Sequence, residues 1–452
     1  MIQFEEALKI VLSNTLPIPG TELVHLPEAH GRVLAESIFS DMDMPPFDKS
    51  AVDGYAYRSA DHGKRLRVLE TIRAGEAPGL KISEGCCSKI MTGAKLPQGA
   101  DTIVMVEEVI GEEVMTEEKA EEMAAAGTTG ENTVRVRDDD NKYISFKKEY
   151  LQKSPAEIKG ANICLKGEDI KKGKLLLEKG SLITPFEVAL LALAGYPRVP
   201  VVQKLKVGII TTGEELIEPG HIPSPVQIRN SNGWQLKAQA LNTGAATQYY
   251  GIVPDNLQAL EETIGRAVSE NDIVVMTGGV SMGDFDLVPE VIKNLDFDIL
   301  FDRVAVQPGK PSTFAVSGNS FKSRNSFKES IKDGDEDGDK KRVLFALPGN
   351  PVSSFIQFEL MVKPFIYRSM GNKFSTLWFE ARAGIKYSRR NASRKGLVPA
   401  ILSPDGKVSF PEYHGSAHIS ALTNANAVAE IPAGCREIEQ GGAIKVFLLP
   451  RT

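Results

Sequence analysis

The sequence predicts a multidomain protein of mixed α/β and β class. Its centre is a doubly wound, mostly parallel α/β domain, with a small β-rich domain before it and a further small β domain at the C-terminus. Three observations predict this. From residue 206 to 367, short apolar β-branched runs alternate with amphipathic stretches, the pattern of βαβ units. Residues 67–109 read instead as short strands separated by glycine and proline, and residues 378–452 are strand-like and rich in turns. The length, 452 residues, suits about three domains at ~150 residues each.

Composition narrows the function classes. Hydrophobic residues make up 42% and charged residues 25%, as in ordinary soluble globular proteins. The formal net charge of −6 argues against nucleic acid or an anionic membrane as the main partner. Four cysteines (Cys86, Cys87, Cys164, Cys435) show no C-x2-C pairing, which disfavours a disulfide framework or a structural zinc and fits a cytoplasmic location. The N-terminal stretch is acidic and amphipathic, unlike a signal sequence, and no apolar run approaches the ~18 residues of a membrane span.

The elements follow in order. Residues 4–13 carry Phe4, Ala7, Leu8, Val11 and Leu12 at helical spacing, and residues 31–37 are expected to form a second short helix. Pro45 and Pro46 stiffen the loop before Asp53-Gly54, a turn signal followed by a strand over residues 55–57. From the residues alone this is first a proline-stiffened loop ending in a hairpin turn; the alternative is a stiff loop that fixes Asp48, Lys49, Ser50 and Asp53 as polar groups for binding. Further strands are expected over 89–91 and 101–106. The acidic, alanine-rich residues 112–133 carry no assignable chemistry. Residues 166–169 form a turn in which Asp169 is expected to act as a capping or hydrogen-bonding carboxylate. Thr184 and Pro185 open a helix that Gly195 closes.

The α/β region begins with a buried-type strand over 206–211. A helix over 234–241 follows, with residues 230–232 as capping candidates, then a strand over 248–253. A helix over 256–268, opened by Asp255, precedes the stretch around which the chain is organised, residues 271–286. There an apolar strand (273–276) runs into Gly278, Gly279 and Gly283 and the carboxylates Asp284 and Asp286, then a helix over 287–295. Residues 299–306 are expected as a strand extended by 313–316, and 343–347 as another. Pro348-Gly349-Asn350-Pro351 leads into a helix over 352–367. Residues 317–342 interrupt two strands with a polar, glycine-punctuated insertion whose DGDEDGD lacks the twelfth-position glutamate of a calcium loop.

The turns TTGEE, PDN, TGGVSMGDFD, QPGKP and LPGNP all follow strand C-termini, the edge at which open α/β sheets bind ligands. A glycine turn there lets the backbone approach an anion, and carboxylates beside an anion call for a cation between them. Lys310 and Arg303 are candidates to neutralise phosphate, and Glu215, Asp255 and Asp286 to hold the cation. His414 and His418 lie in a polar loop with no third ligand evident.

These residues closely resemble one family. PPFDKSAVDGYA, IMTGAKLPQGADTIVMVE, GED, TTGEEL, TGGVSMGDFD, QPGKP, LPGNPVS and GSAHISALTNAN occur in the order found in molybdopterin molybdenumtransferases, the MoeA family, which includes the E domain of gephyrin. The resemblance covers nearly the whole chain except residues 112–133 and 317–342. It implies a magnesium-dependent reaction in the cytoplasm that takes adenylylated molybdopterin and molybdate, cleaves the adenylate, and releases AMP and molybdenum cofactor. It implies four domains: an elongated N-terminal domain (1–43 with 150–204), a small β-rich domain (44–149), the α/β domain (205–372, insertion about 317–342) and a C-terminal β barrel (373–452). It also implies a homodimer whose cleft lies between the third domain of one protomer and the second of the other. Transient docking with the adenylylating enzyme is an expectation of the same kind.

Carried over by motif, Asp53, Asp169, Glu215, Asp255 and Asp286 are the catalytic carboxylates. The resemblance implies Glu215, Asp255 and Asp286 as the metal ligands. Thr92, Gly278, Gly279, Ser281, Arg303, Lys310, Pro348 and Pro351 bind substrate, with the two prolines shaping a molybdate pocket. Two positions depart from the pattern: Cys164 stands where many members have arginine, and Gln307 where some have lysine, while Arg303 keeps its charge. Other readings stay open. A scaffold predicts a linker and an appended second domain; a molybdopterin adenylyltransferase needs only the α/β domain; a nucleotide pyrophosphatase is a third option.

Overall fold

A computed structural model describes residues 1–113, 142–279, 287–317, 340–413, 415 and 417–449. The expectations for most of 112–133, for 280–286 (with Ser281 and Asp286), for most of 317–342 and for His414 therefore fall wholly or partly outside the described residues. The chain divides into two compact units, residues 38–176 and residues 1–37 with 177–452.

The 38–176 unit is the β-rich one. Its six-stranded sheet runs Thr102–Met105, Gly54–Tyr57, Cys86–Ile90, Leu66–Ile72, Lys142–Phe146, Val109–Glu113. Alternate residues of the Gly54–Tyr57 strand face two cores, Tyr57 with Leu66, Cys87 and Ile144, and Ala56 with Ile72, Ile90 and Ile103. Gly54 is obligatory, because a Cβ there would stand 2.1 Å from Val104 O.

In the other unit, the expected first helix spans Phe4–Ser13 and buries Phe4, Ala7 and Val11. The helix expected over 31–37 does not form. Val33 and Leu34 bridge instead to Leu182 and Val201, and Leu34 N and Ala35 N donate to Ser181 O and Pro200 O. Val33, Leu34 and Ala35 are all buried, so strand pairing and burial on every side override local propensity. The Pro185–Leu193 helix has the expected start, a capping box of Thr184 and Glu187, and stops before Gly195 at φ 77°.

The α/β sheet contains β1 (Lys206–Thr212), β2 (Ala246–Val253), β3 (Ile273–Thr277), β4 (Phe297–Arg303), β5 (Pro311–Ser317) and β6 (Val343–Leu347). Their order is β2-β1-β3-β6-β5-β4. β2, β1, β3 and β6 are parallel, and β5 pairs antiparallel with both β6 and β4. Helices cover both faces. Ile273 and Val275 pack in one core with Leu236, Val352 and Ile356, while Val274 and Met276 pack in the other with Leu260, Ile264 and Val291. This is why the strands read as continuous apolar runs.

Three expectations change here. Residues 299–306 and 313–316 are not one extended strand. β4 ends at Arg303 and the chain reverses through the QPGKP turn, so that Arg303 registers with Pro311. Gly309, at φ 104°, permits the reversal, and Val306–Gln307 leaves to pair with Lys395 and Gly396. The Leu257–Glu270 helix is capped by Asn256, whose side chain accepts from Ala259 N at 2.9 Å, and not by Asp255. The helix after β6 contains Pro351–Gln357, a π turn Phe358–Val362, and Lys363–Ser369.

The C-terminal strands are β7 (Phe379–Ala383), β8 (Lys395–Leu402), β9 (Lys407–Ser409), β10 (Ala427–Ile431) and β11 (Ala443–Leu448). They run β8-β9-β7-β11-β10, and β10 pairs back with β8, so the expected barrel closes. Small residues fill its interior, among them Ala383, Ala400, Ala427 and Ala429.

Candidate active site

The C-terminal edge of the parallel strands gathers most of the expected site residues. At the end of β1, the buried Thr212 hydroxyl donates to the Asp255 carboxylate, with Val253 O also 2.9 Å away. That places Asp255, exposed beyond the end of β2, against the end of β1. Glu215 lies in the turn after β1. Its exposed carboxylate folds back over Gly213, 2.8 Å from where a Cβ there would stand, and its carbonyl accepts from Ile228 N at 2.8 Å.

The glycines after β3 are needed for proximity. Gly278 sits at φ 95°, and a Cβ there would lie 2.0 Å from Thr212 O. Gly279 sits at φ 61°, and a Cβ would lie 2.6 Å from Val288 Cγ2. Only glycine lets the two strand ends approach so closely. A buried network ties in the next strand: Asn232 Nδ2 donates to Gly349 O at 2.6 Å and to Thr277 Oγ1 at 3.2 Å, and Thr277 Oγ1 donates to Pro348 O at 2.9 Å. Asn232 thus holds the LPGNP turn beside the glycine turn. The paired asparagines before the helix mark this region in the sequence, but only as caps. That cap is Asn230, whose Oδ1 accepts from Gly233 N at 3.1 Å.

Pro348 is buried at this edge and Pro351 opens the helix behind it. Arg303 and Lys310 lie at the same edge, on β4 and in the turn before β5. β5 is two strands from β3, roughly 10 Å at ordinary strand spacing. Arg303 Nε is 3.6 Å from Asp302 Oδ2, on a half-exposed side chain. Lys310 is half-buried, and its carbonyl accepts from Val304 N at 2.9 Å.

Asp53, Thr92 and Asp169 belong to the 38–176 unit. Asp53 Oδ1 accepts from both Thr92 N and Thr92 Oγ1, each at 2.7 Å. The backbone bond first, then the hydroxyl, holds this exposed carboxyl below the usual carboxylate range. Its charge is therefore present at neutral pH and is lost only as pH falls below that range. Thr92→Val removes the smaller of the two bonds, so the Asp53 carboxyl is expected to titrate at higher pH than in the unmodified protein. A carbon-detected NMR titration checks this, and an unchanged or lower midpoint would contradict it. Asp169 is exposed, with its N–H bonded to Met44 O at 3.1 Å. The carboxylate that closes its turn is Glu168, which accepts from Leu165 N at 2.7 Å.

Among the described residues, no group of three or more His, Cys, Asp or Glu is placed to hold a metal ion. The expected ligand set is represented by Glu215 and Asp255 alone, two hard oxygen donors of the kind magnesium takes. A surface depression of about 800 Å³, lined by residues that include Glu218, His221, Trp234 and Tyr249 and not by Glu215 or Asp255, has different chemistry. Trp234 Nε1 at 3.0 Å and Tyr249 OH at 2.7 Å already occupy the Glu218 carboxylate.

Comparison with known proteins decides the family. Residues 2–195 match the MoeA N-terminal region (domains I and II), 208–368 a probable molybdopterin binding domain, and 382–449 the MoeA C-terminal region (domain IV). The molybdopterin molybdenumtransferase of Staphylococcus epidermidis is 33% identical, across 99% of this chain and 95% of its own. The chain belongs to the MoeA family. A second MoeA relative, the molybdopterin molybdenumtransferase of Bacillus subtilis, is 32% identical over 95% of this chain and 90% of its own. A crystal structure of the molybdopterin biosynthesis MoeA protein of Pyrococcus horikoshii OT3 superposes with a TM-score of 0.74 at 29% identity, covering 99% of this chain and all of that one. No described helix of this MoeA-family chain is long and apolar enough to cross a membrane.

Proposed function

We propose that this chain is a molybdopterin molybdenumtransferase. It takes adenylylated molybdopterin and molybdate, breaks the phosphoanhydride of the adenylate, transfers molybdenum to the dithiolene and releases AMP. The observation that carries the reading is the single sheet edge where Asp255, Glu215, the Gly278–Gly279 turn and the Pro348–Pro351 turn converge, in a chain of MoeA-family length and order.

The residues divide the work. Gly278, Gly279 and Ser281 offer backbone and hydroxyl to phosphate. Lys310 and Arg303 supply fixed positive charge on the far side of β6, and Pro348 and Pro351 shape the molybdate pocket. Glu215 and Asp255, with Asp286, would hold magnesium, which supplies charge neutralisation beside the phosphates. Asp53, set by Thr92, and Asp169 contribute from the 38–176 unit of a partner protomer in a homodimer, orienting the pterin end. Most of the rate enhancement comes from positioning and preorganised charge. The four domains follow the sequence boundaries given above. The setting is cytoplasmic, and the adenylylating enzyme docks transiently to hand over its product.

The test incubates purified protein with adenylylated molybdopterin, magnesium and molybdate and follows AMP by chromatography. Molybdate-stimulated AMP release is expected. Tight pterin binding without any AMP release would overturn the reading in favour of a carrier.

A further inference from the structure

We propose that Gln357 is a positioning residue for the Lys310 turn, acting from the helix that begins at the LPGNP turn. The inference rests on the molybdenumtransferase reading for its functional consequence, though not for its structural core.

Gln357 is 1% exposed, an unusual place for a long polar side chain. Its Nε2 donates to Gly309 O at 3.1 Å, while its Oε1 is buried and has no hydrogen-bond partner among the described residues. Leaving that acceptor unpaired is a standing cost that an apolar side chain of similar length would avoid. Gly309 and Gln357 are matched in shape as well. A Cβ at Gly309 would lie 2.5 Å from Gln357 Nε2, and Gly309 adopts φ 104°. Ser312 Oγ donates to the same carbonyl at 3.0 Å, so Gly309 O is held from two sides, one residue before Lys310.

The helix carrying Gln357 is itself fixed at both ends of this segment. Its first residue, Pro351, closes the LPGNP turn held by Asn232. Just past Gln357 the helix passes into the π turn. Gln239 Nε2 straddles the junction, donating to Phe355 O, two residues before Gln357, at 3.2 Å and to the buried Glu359 in the π turn at 2.8 Å. Such turns need outside donors for the carbonyls they release, and they recur at functional sites. One rigid element therefore sets the LPGNP turn and the QPGKP turn relative to each other. Gln357 transmits that setting to the backbone that presents Lys310. A hydrogen bond that served only stability would leave substrate affinity untouched, which separates the two roles.

The test compares Gln357→Met, which keeps the length and loses the donor, with Ser312→Ala, Lys310→Ala and the Gln357→Met/Lys310→Ala pair. Hydrogen exchange in the ligand-free protein is followed over residues 304–312, and KM and kcat are measured for adenylylated molybdopterin. Gln357→Met is expected to speed exchange in that turn and to raise KM about tenfold with kcat nearly unchanged, as displacement of a binding group does. Ser312→Ala should act in the same direction and less strongly. In the Lys310→Ala background, Gln357→Met should raise KM no further, because the two act as one unit. Unchanged exchange would overturn the proposal, as would a KM that is unmoved by Gln357→Met or that rises additively in the pair. A wild-type protein without turnover would sink the molybdenumtransferase reading instead, and the exchange comparison would still decide whether Gln357 holds the turn.

Discussion

Replacing Asp255 with alanine is expected to lower molybdate-dependent AMP release by about 10²–10³-fold, the scale on which a preorganised electrostatic contact acts. Asp255 is exposed, yet it is not loose: the Thr212 hydroxyl holds it at the end of β1. Without the carboxylate, that hydroxyl retains Val253 O, 2.9 Å away. The fold should therefore survive, with the melting temperature moving little. Asp255→Asn separates charge from shape. It can still accept from Thr212 but brings no negative charge for a cation, so its activity should fall nearly as far as that of the alanine variant. Near-normal AMP release from Asp255→Asn would show that the charge is not what matters.

Gly278→Ala should damage the protein by a different route. The new Cβ would stand 2.0 Å from Thr212 O and 3.1 Å from Thr212 Cγ2, at a φ of 95° that side chains avoid. Left-handed strain of roughly 1–2 kcal/mol and overpacking of roughly 1–3 kcal/mol together suggest a loss of about 3 kcal/mol. Denaturant titration would read this as an earlier midpoint, with AMP release lost as β1 and β3 are forced apart. Gly349→Ala is the contrast, because its nearest neighbour, Gly278 Cα, would be 3.7 Å away. Its stability should change by less than ~0.5 kcal/mol. Equal damage from both substitutions would mean that close approach of the strand ends is not what Gly278 provides.

Much of this edge was legible in the chain. Ile273, Val274, Val275 and Met276 are buried on both faces of the sheet, so their continuous apolar run marked a covered parallel strand whatever the helices around it. Gly278 and Gly279 stood out as glycines where the backbone turns. Contacts made by residues distant in the chain were not legible. Val33 and Leu34 carry a helix-compatible pattern, but their backbone bonds go to residues near 181 and 200. The reversal at Gly309 could not be told from a continuing strand, because apolar runs (299–301, 304–306 and 314–316) stand on both sides of it and pairing alone decides direction. Asn232 and Gln357 escaped notice as site residues for the same reason. An asparagine before a helix reads as a cap, and a glutamine within one reads as surface. Their partners, Gly349 and Gly309, lie 117 and 48 residues away.

On the proposed reading, one sheet edge holds both the anionic substrate and its cation. A crystal structure of the protein with adenylylated molybdopterin and magnesium would show where each sits. Phosphate density is expected over the Gly278–Gly279 turn, and a metal bound by Asp255 and Glu215 at the ends of β2 and β1. Phosphate density at the opposite edge of the sheet, or an ordered substrate at this edge with neither carboxylate near a metal, would contradict that reading.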